Sequence, residues 1–340
     1  MDTFGQMQRT IERLTTPGRG ILAADESYPT ITKRLAAHGI ESTEENRRAY
    51  RSLLATTPGI GEYVSGIIFF EETLKQKSDE GDLIPAACER HDIVPGIKVD
   101  KGLVDLPGTN GEKATQGLDN LGDRLDGYVQ QGALFTKWRN VYEITSTLPS
   151  TQLIEANAEV LARYAAVAQS RGMVPIVEPE VLMDGDHDID RCAEVTEAAQ
   201  AAVFAALRRH RVSLEHIVLK PNMVLPGRNL PRPSPEVCAE YTLRILRRTV
   251  PAAVPTINFL SGGQTPEEAT ANLNAINQAE GPRPWVVSFS YSRALQEPVQ
   301  AAWLGQSENK AAAQKAFLHR AKLNSLARQG QYETSMETGS

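Results

Sequence analysis

The sequence predicts a (β/α)8 barrel of the TIM type, an α/β fold in one domain spanning 1–340. Three observations point to it. Short apolar runs recur eight times, their ends roughly 30 to 45 residues apart, as βα units require. The stretches between them carry helix start and stop signals. No GxGxxG loop follows the first run, where a doubly wound nucleotide-binding sheet would normally show one.

In chain order, a polar N-terminal helix is expected over about 1–17, followed by the first run, "GILAADE" (20–26). "STEE" at 42–45 then offers a capping box from Ser42 to Glu45. The next three runs are "VSGIIFF" (64–70), "VPGIKV" (94–99) and "GALFTKW" (132–138). Apolar residues at helical spacing fill 151–170, ahead of "VPIVEPE" (174–180), and again fill 189–210, ahead of "HIVLKP" (216–221). "SPEV" at 234–237 has a Ser cap and a Pro but no Glu to close a box. "PTINFLS" (255–261) precedes "TPEE" (265–268), where Thr265, Pro266 and Glu268 make a full capping box. "WVVSFS" (285–290) is the last run, and a short tail covers about 330–340. Several runs are apolar on consecutive positions, as strands covered on both faces should be.

A net charge of −6 leaves no global basic field to recruit nucleic acid or an acidic membrane. Three scattered cysteines form no CxxC pair, which points away from structural zinc and toward a reducing, cytoplasmic location. The first twenty residues lack the apolar segment of a signal peptide, and no run is long enough to span a membrane.

A barrel of this kind carries its site at the carboxyl ends of the strands. Those ends read Asp25 and Glu26, Lys98, Lys137, Glu178 with Glu180, Lys220, Ser261, and Ser290 shortly before Arg293. The second strand ends in Phe70 instead. Lysines and acids converging on one rim imply a catalytic centre, because burying unpaired charge costs several kcal/mol.

Lys220, which ends a continuous apolar run, is the candidate nucleophile. At a free-lysine pKa of about 10.4 only about 0.04% is neutral at pH 7; lowering it to about 8 gives roughly 10%. Desolvation and a neighbouring cation, with Lys137 the candidate, would achieve this. A neutral amine adds to a ketone and forms an iminium, an electron sink for breaking the adjacent carbon–carbon bond. Loss of water on the way needs a carboxylic acid. Glu178 and Glu180 share one strand face at period two, and like-charge crowding is expected to keep one of them protonated.

"LSGGQ" (260–264) and "SFSYSRAL" (288–295) lie where such barrels bind phosphate: Gly262 and Gly263 allow close backbone approach and Arg293 adds a forked donor. Lys98, Ser27 and the Lys33–Arg34 pair are placed to hold a second anion, so a substrate phosphorylated at both ends fits. "DGDHDID" (184–190) fails the calcium-loop pattern, with Ile189 where glycine belongs, and reads as a solvated loop with a helix N-cap. The six histidines form no metal-ligating pair.

With "GILAADES", "STEENRRAYRSLL", "GIKVDKG", "GTNGE", "TQGLDNL", "EANAEVLARYA", "VPIVEPE", "DGDHD", "LKPNMV", "FLSGGQ" and "ENKAAAQ", the chain resembles the class I, metal-independent fructose-bisphosphate aldolases nearly end to end. That resemblance implies a lyase of glycolysis and gluconeogenesis with no metal and no cofactor. It implies Lys220 as the Schiff-base lysine, Glu178 as the acid–base residue with Glu180 beside it, and Asp25 as acceptor of the C4 hydroxyl proton. Lys137 matches the lysine beside the imine, and Arg139 follows it. Ser261, Gly262 and Arg293 match the C1-phosphate site; Ser27 and Lys98 match the other phosphate. A homotetramer is typical of the family.

Three departures stand out. Tyr28-Pro29 and Thr30 replace a Thr-Gly pair and a phosphate-contacting serine of the animal enzymes, and Ser292 replaces a glycine whose N–H contacts phosphate. The tail "QYETSMETGS" lacks their terminal tyrosine, which Tyr332 does not match. The altered 28–30 region leaves sedoheptulose 1,7-bisphosphate open as the main substrate, and a non-catalytic anion- or protein-binding scaffold is the remaining alternative.

Overall fold

In the computed structural model, which describes residues 2–338, β1 (Gly20–Ala24), β2 (Val64–Phe69) and β3 (Val94–Lys98) are followed by a hairpin of β4 (Leu103–Asp105) and β5 (Lys113–Thr115). Then come β6 (Phe135–Tyr142), β7 (Val174–Val181), β8 (Val218–Leu219), β9 (Thr256–Phe259) and β10 (Val286–Tyr291). All but the hairpin pair in parallel and close into a barrel, β1-β10-β9-β8-β7-β6-β3-β2. The eight apolar runs are the eight barrel strands. The hairpin has no counterpart in the sequence reading, because its three-residue strands are half outside the core and show no run of apolar residues.

The helices are α1 (Thr3–Leu14), α2 (Tyr28–Ala36), α3 (Glu44–Ala55), α4 (Ile84–Arg90), α5 (Leu121–Gln130) and α6 (Thr151–Ser170). They continue with α7 (Ile189–Arg209), α8 (Pro235–Thr249), α9 (Pro266–Gln278), α10 (Arg293–Trp303) and α11 (Lys310–Arg328). Thr265 closes the expected capping box with Glu268. The box at "STEE" is displaced by one residue: Thr43, not Ser42, caps α3 by accepting from Asn46 N, while Ser42 Oγ accepts from Thr32. Ser234 begins α8 but makes no side-chain cap bond. Asp188 caps α7, as the loop reading of "DGDHDID" requires. Of the expected helix at 1–17 and tail at 330–340, Met1, Gly339 and Ser340 lie outside the described residues.

Strand parity sorts the core into two layers. Ile21 and Ala23 of β1 join Phe135, Val174, Ile176 and Val218 in a lumen cluster, which Met7, Ile11 and Leu14 of α1 plug from the amino end. Leu22 and Ala24 face the other way and pack beneath the helices. Phe135 fits inside because its strand neighbours are small: a Cβ on Gly96 would lie 2.3 Å from its ring. The tail folds back on α9. Tyr332 is buried, its N–H donates to Asn274 and its hydroxyl to Glu337, which also pairs with Arg320.

Candidate active site

The inward rows of the lumen continue upward past the apolar layer. Counting by two from Ile21 and Ala23 reaches Asp25; from Phe135, Lys137 and Arg139; from Val174 and Ile176, Glu178 and Glu180; from Val218, Lys220. Each strand therefore supplies apolar plug below and charge at the carboxyl end. The short β8 does not cut this off, because Lys220 N donates to Val177 O and extends the ladder by one residue.

At the top of the lumen these charges form a continuous chain. Lys220 Nζ lies 3.1 Å from Glu178 Oε1, Glu178 Oε2 lies 2.7 Å from Lys137 Nζ, and Lys137 donates to Asp25 Oδ2 at 3.0 Å. All four side chains are at least nine-tenths buried. Burial lowers the Lys220 pKa, and the Lys137 charge lowers it further; Glu178 and Asp25 oppose this without reversing it. Both causes foreseen for an activated lysine are thus present. For Lys137 the balance is the opposite: burial disfavours its charge, but Asp25 and Glu178 outweigh it and hold the ammonium firmly protonated. Burial likewise opposes ionisation of Asp25 and Glu178, and the surrounding lysines overcome it and lower both.

Of the two glutamates expected to crowd one another, Glu178 is not the protonated one. Glu178 is held ionised by Lys137, Lys220 and Arg139, and Glu180 takes its own cation, Arg139 Nε at 2.5 Å.

Toward one side of the mouth, Gly262 and Gly263 follow β9 in the left-handed region, with φ of 50° and 87°. Only glycine takes these values cheaply, and the turn brings backbone beside two guanidiniums. A Cβ on Gly263 would lie 3.0 Å from Arg228 and 3.6 Å from Arg293. Ser261 lies at this turn, and Ser290 Oγ, buried on β10, has no protein partner. Ser27, Thr30, Lys33, Arg34 and Lys98 line the same cavity. Two of these cations already have an acidic partner: Lys98 holds Asp100 at 2.8 Å, and Arg34 holds Glu26 at 2.5 Å. Pro29 lies in the first turn of α2, and Tyr28, its first residue, packs edge-on against Phe70 under the Arg47 guanidinium.

One cavity of about 710 Å³ is lined by all of these candidate residues, from Asp25 and Lys220 to Lys33 and Arg293. Reading strand ends missed Arg228 and Asp100. Arg228 lies in a loop eight positions past Lys220 with no motif around it, whereas Asp100, two residues after Lys98, lay within reach of the strand-end rule. Among the described residues no group of three His, Cys, Asp or Glu side chains is arranged around a metal position.

The family model for fructose-bisphosphate aldolase class-I matches residues 6–340. The chain is 56% identical over 325 residues to fructose-bisphosphate aldolase 4, cytosolic, of Arabidopsis thaliana, covering 95% of this chain and 83% of that protein. It is 56% identical over 320 residues to the cytoplasmic isozyme of Spinacia oleracea, covering 94% and 90%. Among solved structures, fructose-bisphosphate aldolase from Plasmodium falciparum, crystallised in complex with TRAP and a small-molecule inhibitor, superposes with a TM-score of 0.95. It is 48% identical and covers 98% of this chain and 96% of its own.

Proposed function

The chain belongs to the class-I fructose-bisphosphate aldolase family, and from that premise we propose a residue-level mechanism for its site. The reaction is the reversible cleavage of fructose 1,6-bisphosphate to dihydroxyacetone phosphate and glyceraldehyde 3-phosphate, the carbon–carbon lyase step of glycolysis. It takes place in the cytoplasm, as the names of the cytosolic relatives indicate.

One observation carries the mechanism: buried Lys220 in contact with Glu178, which Lys137 links to Asp25. Transfer of the Lys220 proton to Glu178 makes a neutral amine and a carboxylic acid in a single step. The amine attacks the C2 carbonyl; Glu178 gives its proton to the oxygen, takes a second from the added nitrogen and delivers that too, so that water leaves, an iminium forms and Glu178 is again a carboxylate. Asp25, kept ionised by Lys137, then takes the C4 hydroxyl proton. The C3–C4 electron pair moves into the iminium, releasing the aldehyde and leaving an enamine. Protonation at C3 and hydrolysis return Lys220. Lys137 stays charged throughout and stabilises negative charge at the reacting oxygens. Arg139 and Glu180 form the wall beside the imine.

Ser261, Gly262, Ser290 and Arg293 take the C1-phosphate end, and Ser27, Lys33, Arg34 and Lys98 the other. A cavity of about 710 Å³ accommodates a bisphosphorylated hexose between them. Borohydride reduction in the presence of dihydroxyacetone phosphate should place the adduct on Lys220 by peptide mass mapping. Lys220→Met should abolish trapping and lower kcat by about 10³-fold or more. An adduct elsewhere, or activity lost to EDTA, would overturn the mechanism. Comparing kcat/KM for fructose 1,6-bisphosphate and sedoheptulose 1,7-bisphosphate tests substrate preference.

A further inference from the structure

We propose that the Ser292 hydroxyl is a positioning group for Arg34 and thereby sets how strongly the enzyme favours a substrate phosphorylated at its far end. The inference rests on the phosphate assignment above and concerns a side chain that assignment does not use.

Ser292 precedes α10 with φ of −106°, so its side chain requires no strained backbone. It makes no cap bond to its own helix; its hydroxyl is turned to other work. Arg34 Nη1 donates to Ser292 Oγ at 2.8 Å and to Glu26 Oε1 at 2.5 Å. Ser292 Oγ in turn donates to the same Glu26 oxygen at 3.0 Å. The three atoms close a triangle. Arg34 has no acceptor and can only donate, so Ser292 Oγ accepts from it and turns its own hydrogen to Glu26 Oε1.

The triangle is anchored on its buried side. Glu26 is 3% exposed and receives Arg51 Nη2 at 2.6 Å on its other oxygen. Gln296 Nε2, on α10, donates to Glu26 Oε1 and Ala23 O, both at 2.7 Å, and to Ser292 Oγ at 3.2 Å, fixing the cluster to the end of β1. Only one nitrogen of Arg34 is engaged. Its Nε and Nη2 have no partner among the described residues, and the side chain lines the cavity beside Lys33 and Ser27. Holding Nη1 by two acceptors leaves the remaining edge of the planar guanidinium in a fixed orientation, ready for two-point contact with a phosphate. Without the serine oxygen, Arg34 keeps its ion pair with Glu26 but can rotate about that single contact.

The test compares fructose 1,6-bisphosphate with fructose 1-phosphate, which lacks the far phosphate, in the full-length protein. Ser292→Ala keeps the backbone N–H and loses only the hydroxyl, and Ser292→Gly removes the β-carbon as well. Each should lower the ratio of kcat/KM for the bisphosphate over the monophosphate about fivefold, through KM for the bisphosphate. Ser292→Thr, which restores a hydroxyl, should return the ratio to within twofold of the parent. In an Arg34→Met background, Ser292→Ala should change the ratio no further. An unchanged ratio, an equal fall for both substrates, or a full effect of Ser292→Ala without Arg34 would each overturn the proposal. Failure of the parent enzyme to cleave the bisphosphate, or to form the Lys220 adduct, would instead strike the mechanism on which it rests.

Discussion

Lys220 and Glu178 lie 3.1 Å apart on neighbouring barrel strands, with Lys137 on the far side of the carboxylate. A lone lysine at this depth would shed its proton, and a lone glutamate would take one up. Together they leave one proton in play between two groups, which is what carbinolamine formation and dehydration need in turn. The sign of the pH dependence follows from the causes. Because burial and the Lys137 charge lower the Lys220 pKa, the neutral amine fraction rises with pH and rises earlier than for a free lysine. Borohydride trapping should therefore speed up as pH increases and level off below pH 10.5. Lys137→Met removes one of the two lowering causes and should shift that rise to higher pH. A rise unmoved by the substitution would remove Lys137 from the tuning of the nucleophile.

Strands and helices divide the labour by parity. The inward rows of β1, β6, β7 and β8 begin with aliphatic or aromatic side chains, sealed at the amino end by α1, and end in charge at the carboxyl end. The rigid apolar plug keeps water from reaching the charged layer from below, and burial is the first cause of the Lys220 shift. Phe135 is the largest piece of the plug, and it depends on Gly96, its register partner on β3. Adding a methyl group there would place carbon 2.3 Å from the ring, so Gly96→Ala should cost about 1–3 kcal/mol through overpacking. Denaturant unfolding would measure this, and adding Phe135→Leu should recover part of the loss. A Gly96→Ala protein as stable as the parent would show that the lumen has slack the packing does not reveal.

The assembled chain presents one concave mouth on the barrel and a hairpin beside it whose Leu103 and Val104 are exposed, at 46% and 39%. Apolar surface on so small an element suits burial between subunits, and the homotetramer typical of the family is the expected assembly. Sedimentation equilibrium should return about four times the 37.2 kDa chain mass; a monomer at micromolar concentration would contradict it. Strand number, the order of the catalytic side chains and their common face were legible from the chain, because each barrel strand is an apolar run and parity is a local property of extended backbone. Pairing was not legible in the same way. Arg34 meets Ser292 across 258 positions, and Lys137 meets Asp25 across 112. Those distances exist only once the sheet closes and β10 is laid against β1. Charge state belongs to the same level: Glu178, a candidate for a retained proton in the chain, is held ionised by Lys137, Lys220 and Arg139 from neighbouring strands. Coulomb interaction depends on separation in space and on the local dielectric, so the ionisable groups could be named from the chain, and the closed barrel alone sets which of them are charged.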